Sequence, residues 1–256
     1  MTTTRSDPQT NRGRVRVETG AKRVRAILGG EVVADTTRPV LVWEVPYYPA
    51  YYVPVEDVRA KLEPSGATHH SPSRGTAEIL DVVTERGRLA AAARRYTDSP
   101  LADLRDAVRF EWDAMDTWLE EDEPIYGHPR DPYTRIDALR SSRHVRVELD
   151  GVVLAESTRP TILYETGLPA RHYLPLSDVR MELLEPSEHR TLCPYKGWAS
   201  YWHLVVAGKR YENYVWTYRT PFPESQAIIG LACFYNEKVD VVVDGRRVDR
   251  PKTKFS

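Results

Sequence analysis

The chain has little cysteine, no long apolar run and no excess of charge of either sign. Its 256 residues contain two cysteines, too few for a disulfide framework or a cysteine-rich zinc site. The 36 Lys+Arg residues against 37 Asp+Glu give a net charge of -1, which argues against nucleic acid as the main partner. No apolar run could form a transmembrane helix, and residues 1–25 are too polar for a secretory signal. We therefore expect a cytoplasmic protein without a membrane partner; its oligomeric state stays open.

Familiar catalytic and cofactor-binding motifs are also missing. The sequence has no Ser-His-Asp order, no His-Glu-x-x-His helix, no Gly-rich dinucleotide loop and no Walker-type loop. The adjacent His69 and His70 would point to opposite faces of a strand. A closed zinc site normally needs four suitable ligands, so we predict no metal site and no cofactor.

The chain does contain an internal repeat. Shifted by 121 positions, residues 24–62 match residues 145–183 at 16 of 39 positions. Thr37-Arg38-Pro39 meets Thr158-Arg159-Pro160, and Glu44 meets Glu165. One residue is then inserted in the second copy, after which Pro72 meets Pro194 and Gly75 meets Gly197. A repeat of this length predicts two homologous domains in tandem.

The local pattern is mainly that of β structure. Four dipeptides each separate two apolar runs, as the turns of β-hairpins do. They are Gly29-Gly30, Asp150-Gly151, Ala207-Gly208 and Asp244-Gly245. Each copy also carries one stretch with helical spacing, from Leu101 to about Glu121 and from Pro223 to about Phe234.

These patterns predict a mainly β (α+β) protein of two tandem, homologous, antiparallel β-barrel-like domains, each with one helix. We place a disordered tail at 1–13, the N-terminal repeat at 14–125 and a linker at 126–143. The C-terminal repeat follows at 144–250, with a tail at 251–256.

The two copies differ most in their aromatic content. Residues 195–218 of the second copy contain eight aromatic side chains, whereas the matching residues 73–96 of the first copy contain only Tyr96. The preceding loop is Cys193-Pro-Tyr-Lys-Gly197 in the second copy and Ser71-Pro-Ser-Arg-Gly75 in the first. Because the turns match and the polar and aromatic residues do not, we expect a site in the second copy and a degenerate one in the first.

These residues resemble a known family. Four runs of the second copy are similar to those of the domain-of-unknown-function 427 family. They are Tyr173-Leu-Pro-x-x-Asp-Val-Arg180, Thr191-x-Cys-Pro-x-Lys-Gly-x-Ala-x-Tyr201, Trp216-x-Tyr218 and Ala232-x-Phe-Tyr235. The segment His128-Pro-Arg-Asp-Pro-Tyr133 resembles its tandem, actinobacterial-type members. The resemblance implies a compact, mainly β domain with a small pocket and no established activity. The first copy departs from the pattern at Ser71 and Arg74.

Cys193, Lys196 and His189 are the candidate catalytic residues. A cation favours the thiolate form of a neighbouring cysteine, and Lys196 follows Cys193 by three residues. His189 could shuttle a proton only if a turn brings it back to the thiol. The alternative is that Cys193 packs a turn, as Ser71 would in the first copy, and that Lys196 is a solvated loop residue. Cys233 is predicted to be a core residue.

Aromatic side chains suggest a small-molecule pocket whose ligand the sequence does not identify. Period-two alternation places Tyr214, Trp216 and Tyr218 on one strand face, and Tyr201 and His203 on one face of the partner strand. The alternative is a non-catalytic ligand-binding or protein-interaction module in which the aromatic side chains form the core. The candidate ligand-binding residues are Tyr173, Tyr195, Tyr201, His203, Trp216 and Tyr218.

The first copy has an aromatic cluster of its own. It comprises Trp43, Tyr47, Tyr48, Tyr51 and Tyr52, which are interleaved with prolines that favour an extended chain. An exposed cluster of this kind would form an interface. The alternative is that it packs between the two domains.

Overall fold

The chain consists of two compact units. A computed structural model describes residues 15–253 and divides the chain between Asp131 and Pro132 into an N-terminal and a C-terminal unit. The tail predicted at 1–13 lies outside the described residues, as do the last three residues of the tail predicted at 251–256.

Two antiparallel sheets build the N-terminal unit. The larger sheet has the strand order β1-β4-β5-β9-β8-β7-β6 and the smaller one β11-β10-β2-β3. The strands are β1 (Arg16–Thr19), β2 (Val24–Leu28), β3 (Glu31–Thr36), β4 (Val40–Val45), β5 (Tyr48–Pro54), β6 (Lys61–Ser71), β7 (Gly75–Thr84), β8 (Gly87–Arg95), β9 (Ala107–Phe110), β10 (Thr117–Glu120) and β11 (Glu123–Ile125). Short 3-10 helices occupy Val55–Asp57, Ala102–Leu104 and Trp112–Ala114.

The C-terminal unit repeats this arrangement strand for strand. Its larger sheet has the order β12-β15-β16-β20-β19-β18-β17 and its smaller one β14-β13-β21-β22. The strands are β12 (Ile136–Arg140), β13 (Val145–Leu149), β14 (Val152–Ser157), β15 (Thr161–Glu165), β16 (Arg171–Leu174), β17 (Leu184–Cys193), β18 (Gly197–Val206), β19 (Lys209–Tyr218), β20 (Ala232–Phe234), β21 (Asp240–Val243) and β22 (Arg246–Val248). Short 3-10 helices occupy Leu176–Asp178, Met181–Leu183 and Pro223–Ile228.

The repeated topology confirms the prediction of a mainly β chain with two homologous antiparallel halves. The sheets have free edge strands, such as β12 and β17, so they are open and do not close into barrels. Strand β12 lies within the segment assigned to the linker from the sequence, and it pairs with β15 of the C-terminal unit.

The hairpin turns lie where the sequence predicts them. Gly29-Gly30, Asp150-Gly151, Ala207-Gly208 and Asp244-Gly245 all have positive φ at both positions, between 49° and 79°. Two positive φ values are what a type I′ turn requires, because its backbone then follows the twist of the flanking strands.

The predicted helix from Leu101 to Glu121 is wrong. Strands β9 and β10 and the two 3-10 helices at Ala102–Leu104 and Trp112–Ala114 occupy this stretch. Strand β9 fills the gap between β5 and β8, where its backbone groups pair on both sides. Apolar residues at helical spacing in a short run can also belong to consecutive strands. In this stretch, pairing with the neighbouring strands of the sheet determines that strands form.

The second predicted helix, from Pro223 to Phe234, is also wrong. A 3-10 helix covers Pro223–Ile228, Gly230 then takes a φ of 67°, and β20 follows. The N–H of Gly230 donates to the carbonyl of Tyr218, which leads the chain back to the sheet. Cys233 is fully buried, as predicted, but lies on a central strand. The described residues include no helix long and apolar enough to cross a membrane.

Both faces of the larger C-terminal sheet are packed. Leu174, Leu204 and Val215 face a core shared with β13 and β21, while Tyr173 and Trp216 belong to a second cluster on the opposite face. That second cluster forms the aromatic face, which comprises Leu163, Tyr173, Ala199, Tyr201, Trp216, Tyr218, Ile228 and Cys233.

Tyr214 does not share a face with Trp216 and Tyr218, contrary to the prediction. It packs instead against the core beside Tyr211. The ladder between β18 and β19 is irregular near Leu204, and Asn213 has a φ of 56°. A bulge of this kind breaks strict alternation, so the residue next to it changes face.

Candidate functional site

The turn between β17 and β18 holds Cys193 and Lys196 at the edge of the aromatic face. The backbone N–H of Lys196 donates to the carbonyl of Cys193 over 3.3 Å, and Phe222 N–H donates to the carbonyl of Lys196 over 3.2 Å. Gly197 has a φ of 93°, and an added Cβ would lie 3.3 Å from the carbonyl oxygen of Thr220. The turn therefore needs glycine directly after Lys196.

Lys196 forms a buried ion pair with Glu165, at the end of β15. Its Nζ lies 2.5 Å from Oε2 of Glu165, and both side chains are about one-tenth exposed. Burial alone would lower the pKa of Lys196, but the attraction of Cys193 and Glu165 outweighs it and the pKa is raised. The ammonium is thus held charged inside the fold.

The ammonium of Lys196 also interacts electrostatically with the side chain of Cys193, which lies in the same turn. The thiol is half-buried, so a reagent from solvent can reach it. Cys233 behaves differently, because complete burial raises the pKa of its thiol to about 12. Of the two cysteines, only Cys193 combines a neighbouring cation with access to solvent.

Aromatic side chains continue the site across the sheet. The indole N–H of Trp216 donates to the hydroxyl of Tyr173 over 3.1 Å, and the two rings meet edge to face. Burial raises the pKa of both Tyr173 and Tyr218 well above the usual value of a phenol. These phenols therefore stay neutral and can donate or accept hydrogen bonds.

A second buried ion pair lies at the other side of the aromatic face. The guanidinium of Arg171 makes two bonds to the carboxylate of Glu237, at 2.6 and 2.7 Å. It also lies 5.6 Å from the ring centre of Trp216 and 6.0 Å from that of Tyr235. This cation fixes the orientation of the two rings.

The N-terminal unit has a counterpart of the ion pair between Lys196 and Glu165, with arginine in place of lysine. Arg74 lies 3.7 Å from Glu44, the counterpart of Glu165. Here the carboxylate has further partners, because it accepts from the hydroxyl of Tyr52 over 2.7 Å and lies 3.1 Å from the guanidinium of Arg109. Among residues 15–253, Glu165 has Lys196 as its only side-chain hydrogen-bond partner, which leaves one carboxylate oxygen available.

The N-terminal unit lacks the thiol and part of the aromatic face. Ser71 stands at the position of Cys193, where it is buried with its hydroxyl 3.4 Å from that of Ser73. Tyr52 and Tyr96 keep the places of Tyr173 and Tyr218. By strand pairing, Arg94 and Arg109 take the places of Trp216 and Cys233, so guanidinium groups replace an indole and a thiol there.

The structure brings most of the predicted site residues together. Cys193 and Lys196 lie in one turn, and four of the predicted ligand-binding residues lie on the aromatic face. Those four are Tyr173, Tyr201, Trp216 and Tyr218.

Three other predicted residues have contacts of their own. His189 packs against Tyr201 of the aromatic face, with ring centres 4.6 Å apart, and lies four residues before Cys193 on the same strand. Nδ1 of His203 accepts from the backbone N–H of Asn213, so this ring supports the bulge. Tyr195 lies in the turn, where its carbonyl accepts from Ser225 over 3.5 Å. The functional roles predicted for these residues stay predictions.

Sequence reasoning missed Glu165, Arg171, Tyr235 and Glu237. The identity of Glu44 and Glu165 between the two copies was the available signal for the first of them. Nothing in the sequence pairs Arg171 with Glu237, because strand pairing and the turn after β20 bring them together. In the part of the chain that the structure describes, no group of three or more His, Cys, Asp or Glu residues could hold a metal ion.

Comparison with known proteins identifies one family. The family described as a domain of unknown function, DUF427, matches residues 16–121 and again residues 137–245. A search of curated proteins finds no match to this chain.

Proposed function

We propose, for a chain that belongs to the DUF427 family over two tandem domains, that the C-terminal unit binds a small molecule and presents Cys193 to it as a nucleophile. One observation carries this proposal: a single turn holds the buried ammonium of Lys196 and the half-buried Cys193 at the edge of the aromatic face. The N-terminal unit keeps the scaffold without the thiol.

The energetics of the ion pair support a role beyond stability. A buried pair is a poor stabiliser, because the cost of removing both charges from water offsets their attraction. The pair of Lys196 and Glu165 is therefore better explained by what it does for a neighbour. An ammonium held next to a thiol favours the thiolate, which is the nucleophilic form.

The chemistry that fits is attack on an electrophilic carbonyl carbon. The thiol proton leaves to water, and the sulfur of Cys193 then forms a bond to the carbon. The π electrons of the carbonyl move onto its oxygen, which takes a proton from water. Lys196 is placed to stabilise the negative charges in this sequence, and the neighbouring phenol of Tyr218 can donate a hydrogen bond.

A non-catalytic role is the competing function. Tyr173, Trp216 and Tyr218 are all buried, which favours packing over an open binding face. In that account the unit is an interaction module, and Cys193 only fills its turn.

Saturation kinetics separate these two functions. We would measure the alkylation of Cys193 by N-phenylmaleimide, following the modified peptide by mass spectrometry, with glutathione as the reference thiol. A binding site predicts a rate that levels off at high reagent concentration and a preference for N-phenylmaleimide over N-ethylmaleimide that glutathione does not show. Strictly linear kinetics without such a preference would favour the interaction module.

A variant of the aromatic face provides the matched comparison. Tyr218→Leu should abolish the preference for the phenyl reagent while Cys193 remains reactive. Circular dichroism would establish that this variant is folded. Buried Cys233 serves as the internal control and should stay unmodified in every folded sample.

A further inference from the structure

The N-terminal unit has a cavity that borders its ion-pair network. Its volume is about 290 Å³, at the lower end of the range of about 300–1,000 Å³ typical of ligand pockets. Residues from β5, β9, the Trp112–Ala114 helix, β10 and the segment after β11 line it. The aromatic ones are Tyr48, Tyr51, Phe110, Trp112, Trp118 and His128.

Two stacked ring pairs border this cavity. Tyr48 and His128 stack with ring centres 3.8 Å apart, at an interplanar angle of 11°. Trp112 and Trp118 stack at 5.1 Å and 4°. The contact between Tyr48 and His128 joins two sequence features that the C-terminal site does not use, the Tyr- and Pro-rich stretch and the His-Pro-Arg-Asp-Pro segment.

Hydrogen bonds hold the rings in place. The indole N–H of Trp118 donates to the carbonyl of Trp112 over 3.2 Å, and the hydroxyl of Tyr51 donates to Glu120 over 2.5 Å. A cavity whose walls are fixed before binding loses less conformational entropy when a ligand enters.

The charged side chains that line the cavity are Arg109, Glu111 and Asp113. Arg109 lies 2.6 Å from Glu111 and 3.1 Å from Glu44, and Glu111 also accepts from Arg94 over 2.6 Å, so both arginines have carboxylate partners. Asp113 is exposed, lines the cavity and has no hydrogen-bond or ion-pair partner among residues 15–253. The cavity therefore combines aromatic side chains with an exposed carboxylate.

We propose that this cavity binds a small organic cation, an alkylated or quaternary ammonium. Aromatic rings attract such a cation through the negative electrostatic potential of their faces, and Asp113 adds a direct charge interaction. This site is independent of the thiol chemistry proposed for the C-terminal unit.

The test compares two probes of nearly equal shape by calorimetric titration of the full chain. Choline carries a quaternary ammonium, and 3,3-dimethylbutan-1-ol has a carbon atom in place of its nitrogen. We expect choline to bind saturably and the neutral alcohol to bind at least about tenfold more weakly. No saturable binding of choline, or equal binding of both probes, would overturn the proposal.

Matched charge variants locate the site. Asp113→Asn should weaken choline binding several-fold, whereas Asp103→Asn, which removes an exposed carboxylate outside the cavity, should leave it unchanged. Tyr48→Leu should also weaken binding, with its fold checked by circular dichroism. Equal effects of the two aspartate variants would place the choline elsewhere and contradict the assignment.

Discussion

Lys196 and Glu165 form an ion pair of 2.5 Å in which each side chain is about one-tenth exposed. Lys196 lies in the turn between the edge strand β17 and its neighbour β18, and its ammonium also interacts electrostatically with Cys193 in the same turn. The pair's counterpart in the N-terminal unit, Arg74 with Glu44, is longer at 3.7 Å and shares its carboxylate with Tyr52 and Arg109. This difference yields direct predictions.

Removing the cation of the ion pair in the C-terminal unit should strongly lower the free energy of unfolding. Lys196→Met leaves Glu165 buried without a partner, and breaking a buried pair in this way costs about 3–5 kcal/mol. The double variant Lys196→Met/Glu165→Leu should regain most of that loss, because no charge is then left buried. Urea unfolding of the three proteins measures both quantities.

Removing the arginine of the equivalent ion pair in the N-terminal unit should lower the free energy of unfolding by less. Arg74→Met leaves Glu44 bound by Tyr52 and Arg109, so we expect a loss of about 1 kcal/mol. If Arg74→Met and Lys196→Met destabilise the protein equally, the two carboxylates do not differ in their partners as described.

Gly197 should tolerate alanine poorly. Its φ of 93° and the carbonyl oxygen of Thr220 at 3.3 Å from an added Cβ both oppose a side chain. Gly167 has a φ of 77° with open space around it, so Gly167→Ala reports the backbone cost alone, about 1–2 kcal/mol. Denaturation curves should show a larger loss for Gly197→Ala. Equal losses would mean that the turn adjusts without strain.

His172 should make stability depend on pH. Burial, with help from Arg143 and Arg171, lowers the pKa of His172 to about 4. The unfolded chain binds this proton near pH 6.5, so acidification from pH 7 to pH 4 favours unfolding by up to about 3 kcal/mol. Below pH 4 this residue should add no further change.

Substitution isolates the contribution of His172 from that of other groups. The stability difference between His172→Phe and the unsubstituted protein should shift in favour of the variant as the pH falls from 7 to 4.5. The exposed His69, replaced by Gln, should show no such shift. Parallel stability curves for all three proteins would exclude the burial of a neutral His172.

The sequence repeat predicts the architecture because turns are local. Asp150-Gly151 and its three equivalents impose positive φ within two residues, and the repeat then transfers one topology to the other half. The two helices are mispredicted because the same apolar residues fit β9 and β20, and only sheet pairing decides between the alternatives.

The candidate site is predictable only in part for the same reason. Cys193 and Lys196 are three residues apart in one turn, so their contact follows from local sequence. Arg171 and Glu237 are 66 residues apart and meet only through the folded sheet. The bulge at Asn213 also depends on the folded sheet. Because of it, Tyr214 does not lie on the strand face that strict alternation of side chains predicts.

The rate at which iodoacetamide alkylates Cys193 at pH 7 reports whether Lys196 stabilises the thiolate. If Lys196 stabilises the thiolate, Lys196→Met should slow alkylation by about tenfold, equivalent to about 1.4 kcal/mol. Lys196→Arg should keep most of the rate, and Glu165→Gln should raise it by removing the competing anion. Equal rates in all four folded proteins would contradict the account and make Cys193 a packing residue.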